Sequence, residues 1–173
     1  MAFLGPLAHL VKRFFVSILV QRNNPNEEKY LLSLLTDRET KLYFAQPLID
    51  RIHSVQSATK AKAELQNRDD QNLVVAAALH DVGKAQANLG ILGRVLATII
   101  DFILPLRILS EWKRHKGIRK KIHLYSFHSE RSADLLEEAG SSQLVITWAR
   151  HHHDKSSDVP LPVEVFTLLK RSD

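Results

Sequence analysis

Residues 73–84 read LVVAAALHDVGK, and their reading decides the fold. Leu73 to Leu79 are all small or aliphatic, the composition of a helix buried on every side. His80 and Asp81, two side chains able to bind a metal, stand where the run stops. Gly83 is read as supplying the backbone freedom that ends the helix, and Lys84 places a cation just beyond. A buried helix that delivers an imidazole and a carboxylate from its last turn fixes both ligands before a metal arrives. A plainer reading stands beside it, since a helix C-terminus favours histidine through its dipole alone.

Upstream, residues 46–64 read as a helix with Leu48, Ile49, Ile52, Val55, Ala58 and Ala63 on its buried side, and this helix carries His53. Residues 67–72 form a polar turn into the central run. The sequence Thr36-Asp-Arg-Glu39 fits a capping box, so a helix starts near Asp37. Residues 23–28 are polar, contain Pro25, and are read as a loop. Residues 3–20 are apolar, with Lys12 and Arg13 inside the run. That placement, without a small-x-small cleavage site, argues against a signal peptide. The run is also too short and too interrupted to span a bilayer. It reads as an amphipathic helix that packs on the domain or lies on a membrane surface or a partner.

Downstream, residues 91–112 are apolar but broken by Arg94, Asp101, Pro105 and Arg107, and residues 113–121 (KRHKGIRKK) are the most basic stretch. An apolar segment followed by cations has the pattern of a peripheral membrane contact. The same cations would draw a phosphate to a nearby site, and a buried helix followed by a solvated basic loop fits equally. Residues 127–139 read as a helix stopped by Gly140. Ser141 or Ser142 caps a helix over 143–153, residues 158–162 turn, and 163–170 form the last helix. Period-two alternation and hairpin turn signals are missing, so the chain reads as all-α.

The 173 residues are most simply one domain, large enough for a real core. With no cysteine, disulfides, zinc–thiolate sites and thiol nucleophiles are excluded, and nine histidines with the carboxylates remain as metal ligands. The absence of cysteine also suits a reducing, cytoplasmic setting. A net charge of +5 suits an anionic ligand but is too mild to imply nucleic acid.

In chain order the candidate ligands are His53, His80, Asp81, His128, the run His151-His152-His153, and Asp173. They come from five predicted helices, and a helical bundle can converge such side chains on one interior point. A His and Asp set without Cys favours divalent iron, manganese, zinc or magnesium. More than four ligands make two metals feasible, with Asp81 the natural bridge because a carboxylate can offer one oxygen to each. Paired metals suit phosphoryl transfer.

The order His53, His80-Asp81, Asp173 resembles the HD superfamily of metal-dependent phosphohydrolases. The segments Arg51-Ile-His-Ser54 and Ala76-Ala-Ala-Leu-His-Asp-Val-Gly-Lys84 are similar to its first-ligand and signature helices. His128-Ser-Glu-Arg-Ser-Ala-Asp-Leu-Leu136 and the triplet are similar to the extra ligands of members that hold more than one metal. The resemblance spans residues 42–173 and implies an HD-like helical bundle with an interior metal site. Residues 1–35 would then be an N-terminal amphipathic extension and 89–121 an apolar and basic insertion. His53, His80, Asp81 and Asp173 would hold the first metal, and His128 with one or two of His151 and His152 a second. The triplet leaves the register open between His151/His152 and His152/His153. Asp81 and Lys84 are the expected catalytic residues, with Lys84 binding a substrate phosphate or only capping its helix. His9, His115 and His123 match no ligand position and are expected at the surface, and Trp112 and Trp148 in packing. The residues after the triplet contain no Gly-Tyr-Pro, which argues against the cyclic-di-GMP subgroup.

The expected function is hydrolysis of a phosphomonoester or phosphodiester by a metal-activated hydroxide. One or two divalent ions (Fe, Mn, Mg or Zn) would serve, on a phosphorylated small molecule of nucleotide type. The alternative is a catalytically weak nucleotide or lipid-headgroup sensor at a membrane surface. An HD-type oxygenase with mixed-valent iron is a third reading.

Overall fold

The computed structural model describes residues 24–65 and 70–173, and these fold into ten α-helices with short 3-10 turns and no strand. The all-α expectation holds. In chain order the helices are α1 (Pro25–Leu34), α2 (Asp37–Ala45), α3 (Leu48–Leu65), α4 (Gln71–Leu79), α5 (Ile91–Ile103), α6 (Leu106–Glu111), α7 (Ile118–Ser126), α8 (His128–Ala139), α9 (Gln143–His151) and α10 (Val163–Ser172). The reading made for residues 3–20 lies outside the described residues, as do 67–69 of the turn read over 67–72, and that turn is shortened because Gln71 and Asn72 already belong to α4. No single helix among the described residues is long and apolar enough to cross a membrane.

The chain divides into two compact units. The larger holds the described residues up to Ala85 together with Phe127–Asp173. Here α4 is the axis: every residue from Leu73 to Leu79 is buried, and α3, α9, α10 and α1 pack against it. Fully burying a Leu or Val contributes roughly 1.5–3 kcal/mol, so this apolar run anchors whatever hangs from its end. Leu31 of α1, Tyr43 of α2 and Trp148 of α9 are wholly buried in the same core.

Local rules explain the ends of these helices. The reading of 23–28 as loop is corrected: α1 begins at Pro25, with the Asn26 amide donating to Asn24 Oδ1 at 3.1 Å. Proline suits the first helical position, whose N–H has no partner within the helix, and Asn is a good cap before it. The capping box of α2 forms as read, Glu39 N donating to Thr36 Oγ1 and Thr36 N to Glu39 Oε2. Glu39 also accepts from Ser141 Oγ at 2.6 Å, which ties α2 to the turn after α8. Gly140 stops α8 in the left-handed region at φ +80°, as expected of a C-terminal glycine.

Gly83 corrects the sequence reading. Its φ is not positive, and the chain runs past it as a 3-10 turn, Val82–Ala87. A Cβ at this position would clash with the His128 carbonyl oxygen and lie 2.7 Å from the Ser132 amide nitrogen. Glycine is needed because α8 approaches the backbone here, not because a helix must end. Gly83 N donates to Ser132 Oγ at 2.9 Å across the same contact.

The smaller unit, described over Gln86–Ser126, packs α7 against α5 and α6. Helix α5 ends at Leu104-Pro105, and Ser126 of α7 donates to the Asp101 carboxylate of α5. Part of the expected basic loop is helical, since α7 starts at Ile118. His123, expected at the surface, is buried, with Nδ1 3.0 Å from the Leu109 carbonyl; it lies on the inward face of α7 beside Ile122.

Candidate metal centre

The site lies wholly in the larger unit. His80 and Asp81 follow the last residue of buried α4 and are themselves buried. His53 arrives from the middle of α3, His128 from the first residue of α8, His152 from the end of α9, and Asp173 from the end of α10.

Two imidazoles are held in the same way. His80 Nδ1 is 2.8 Å from the Ala77 carbonyl and His152 Nδ1 is 2.9 Å from the Ala149 carbonyl, each three residues back. A carbonyl oxygen only accepts, so Nδ1 carries the hydrogen and Nε2 turns its lone pair inward. Such a second hydrogen bond is what orients a metal-ligating histidine. The His80 and His152 rings lie edge to face, centroids 4.8 Å apart, with Trp148 packed behind both.

Asp81 divides the centre. Its Oδ2 lies 3.5 Å from His80 Nε2 and 3.8 Å from His53 Nε2, while its Oδ1 lies 3.0 Å from His128 Nε2 and 3.5 Å from His152 Nε2. Asp173 Oδ1 closes the first side, 3.3 Å from His80 Nε2 and 3.6 Å from His53 Nε2. His153 Nε2 closes the second, 3.3 Å from His128 Nε2. Three overlapping triads can therefore hold a metal ion: His53–His80–Asp173, His80–Asp81–His152, and His128–His152–His153.

Of the triplet, His152 and His153 join the cluster. His151, expected as a ligand, does not: it is the last residue of α9, and its Nδ1 lies 2.7 Å from Asp154 Oδ2. The chain leaves the helix immediately after it, so helical spacing no longer sets which way the next two rings face.

The donor set fits a cation. His80 Nε2, Asp81 Oδ1 and His152 Nε2 are buried and make no hydrogen bond among the described residues. Leaving such atoms without a partner costs roughly 1–3 kcal/mol each, more for a charged one, and a divalent ion would engage all three. Burial alone would raise Asp81, but the Lys84 ammonium and His80, then the neighbouring His128 and His152 imidazoles, hold it well below the usual carboxylate range. Burial would likewise raise Asp173, and His53 and His80 hold it well below that range. Burial pushes His80 down, yet Asp81 and Asp173 outweigh this and hold it above its ordinary value. Burial pushes His152 down. His153 is exposed overall, but partial desolvation, then repulsion from His152 and His128, pushes it down to about 3. Both carboxylates are thus ionised at neutral pH, and His152 and His153 keep free lone pairs.

Lysines surround this cluster. Lys84 Nζ pairs with Asp81 Oδ2. Lys60 Nζ binds the carbonyls of Ser172 at 3.2 Å and Asp173 at 3.3 Å, pinning the end of α10 to α3. Lys170 Nζ binds the His152 carbonyl at 2.8 Å and lies 3.7 Å from Asp173 Oδ2. The two backbone clamps were not read from the sequence, where lone lysines on helices carry no mark of a partner far along the chain. His115 is exposed as expected, Trp148 is core as expected, and Trp112 is half-buried.

The family model for the HD domain matches residues 50–171. No curated protein and no solved structure is significantly similar to the chain.

Proposed function

The chain belongs to the HD-domain family, whose members are mostly metal-dependent phosphohydrolases, and on that premise we propose that it hydrolyses the phosphoester of a nucleotide-type small molecule. The observation that carries the reading is Asp81, whose two oxygens face opposite sets of imidazoles. That arrangement suits two divalent ions, and the histidine-rich set favours iron or zinc over magnesium. His53, His80, Asp81 and Asp173 would hold one ion, and Asp81, His128, His152 and His153 the other. When bound, such ions polarise a phosphoryl oxygen and lower the pKa of water.

The chain's own residues supply the rest. The buried wall of His80, His152 and Trp148 keeps donors in place and excludes bulk water on that side, which strengthens every charge interaction there. Lys84, already drawn to Asp81, stands where it can offset charge building on the phosphoryl oxygens as water attacks and the ester oxygen leaves. Lys60 and Lys170 add positive potential at the rim, which favours approach of an anionic substrate.

The test combines elemental analysis of the purified chain with phosphate release across a panel of nucleoside mono-, di- and triphosphates and dinucleotides, with manganese or iron added. Bound divalent metal and release from at least one member support the reading. A metal-free chain that turns over nothing after metal is supplied would overturn it.

A further inference from the structure

The smaller unit carries features the metal centre does not use. Over residues 86–126 there are eight Lys and Arg against Asp101 and Glu111, whereas the whole chain has an excess of only +5. The net positive charge of the protein is therefore concentrated in this unit. Of these cations Arg107, Lys113, Arg114, Lys116 and Arg119 are exposed. Beside them the same unit exposes large aliphatic side chains. Leu92, Leu96 and Ile103, spaced by four and seven residues, share one face of α5, and Leu92 is 79% and Ile103 63% exposed. The opposite face is satisfied internally: Ala97 is buried, buried Arg94 donates to the Leu89 carbonyl, and Asp101 accepts from Ser126. Past the break at Pro105, Leu106 at the start of α6 is 65% exposed and is followed directly by Arg107. Trp112, with Arg119 stacked 5.8 Å from its ring centre, lies where the apolar helices give way to the basic segment.

We infer that residues 91–119 form a docking surface for an anionic lipid bilayer. The aliphatic face of α5 and the start of α6 enter the boundary between headgroups and acyl chains, and the exposed cations pair with the headgroups. With only thirteen residues α5 is too short to cross a bilayer, so it would lie in the interface plane with its exposed face at the headgroup and acyl boundary. Charge decides the occupant. A second copy seated on this face would bring two sets of exposed cations together, which opposes self-association. Nucleic acid would satisfy the cations but leave the exposed leucines and isoleucines without an apolar partner. An anionic membrane satisfies both. The inference is independent of phosphohydrolase activity, because none of these residues belongs to the metal centre.

The test is sedimentation of the full chain with phosphatidylcholine vesicles, with and without phosphatidylserine, at rising salt. The parent chain should pellet with the phosphatidylserine vesicles, fail to pellet with phosphatidylcholine alone, and be released by salt. Two double variants at exposed positions, Leu92→Asp with Leu106→Asp and Arg114→Glu with Lys116→Glu, should each weaken binding about tenfold or more. Circular dichroism and unchanged metal content check that they fold. Should the aspartate pair lose helix, the charge-reversal pair decides alone. Absence of pelleting would overturn the inference, as would pelleting that the folded variants leave unchanged. It would also be overturned by parent oligomers that the aspartate pair dissolves, or by binding of duplex DNA as tight as that of vesicles.

Discussion

Asp81 and the histidines around it show what single residues decide. Convergence of His53, His80, Asp81, His128 and Asp173 was expected because these residue types fall on or beside predicted helices in an order that resembles the HD superfamily. The register of the triplet was not legible, since α9 ends at His151 and its periodicity ends there too. Asp154, three residues on, draws His151 aside by a contact that spacing alone does not reveal. The expected outcome is a clean split by elemental analysis: His151→Ala keeps the parent's metal content. His152→Ala loses it by more than the roughly 10–100-fold drop in affinity seen when only a supporting partner is removed. Gly83 offers a second check. Gly83→Ala forces a methyl group into the His128 carbonyl and should cost about 1–3 kcal/mol in urea unfolding, as overpacked sites do. It should also weaken metal binding, because the strained contact is with the backbone that positions His128.

Among the elements, α4 was the most legible, since its small and aliphatic run leads straight into the His-Asp pair in a chain without strand signals. Helix α1 was the least, because proline was taken as a breaker when it sits at the one turn of a helix where it is welcome. The capping box of α2 was read correctly, and its worth can be measured. Thr36→Ala removes the side-chain acceptor for Glu39 N and should lower stability by about 1 kcal/mol. Glu39→Ala should cost more, because it also leaves Ser141 Oγ without its 2.6 Å acceptor. A denaturant midpoint shift for each, with unchanged slope, is the measurement. The lysine clamps on α10 belong to this scale as well: they hold an element whose own sequence does not announce what fixes its end.

For the molecule as a whole, the centre makes stability depend on pH with a definite sign. His152 and His153 have depressed values in the folded state, so below their ordinary value of about 6.5 the unfolded chain binds protons that the folded one refuses. Asp81 and Asp173 are depressed too, and the stability they contribute is present above about 3.8 and is lost as pH falls further. His80 is raised and works the other way, contributing below about 6.5 and losing that contribution as pH rises through its folded value. Two imidazoles outweigh one, so the metal-free chain should lose stability gradually from pH 6.5 downward and steeply below pH 4, by denaturant titration across that range. Bound metal should raise the thermal midpoint at neutral pH, and the gain should vanish on acidification as protons compete for the ligands.

Burial is uneven across the centre. The side chains of His80 and His152 are 1% exposed and that of Asp81 6%, while those of His53 and Asp173 are 32% and 26%. The cluster therefore has a sealed back and an open doorway. An ion would come and go past His53 and Asp173 while the helices stay folded, so a chelator should strip the native protein at a rate that urea, short of unfolding, barely changes.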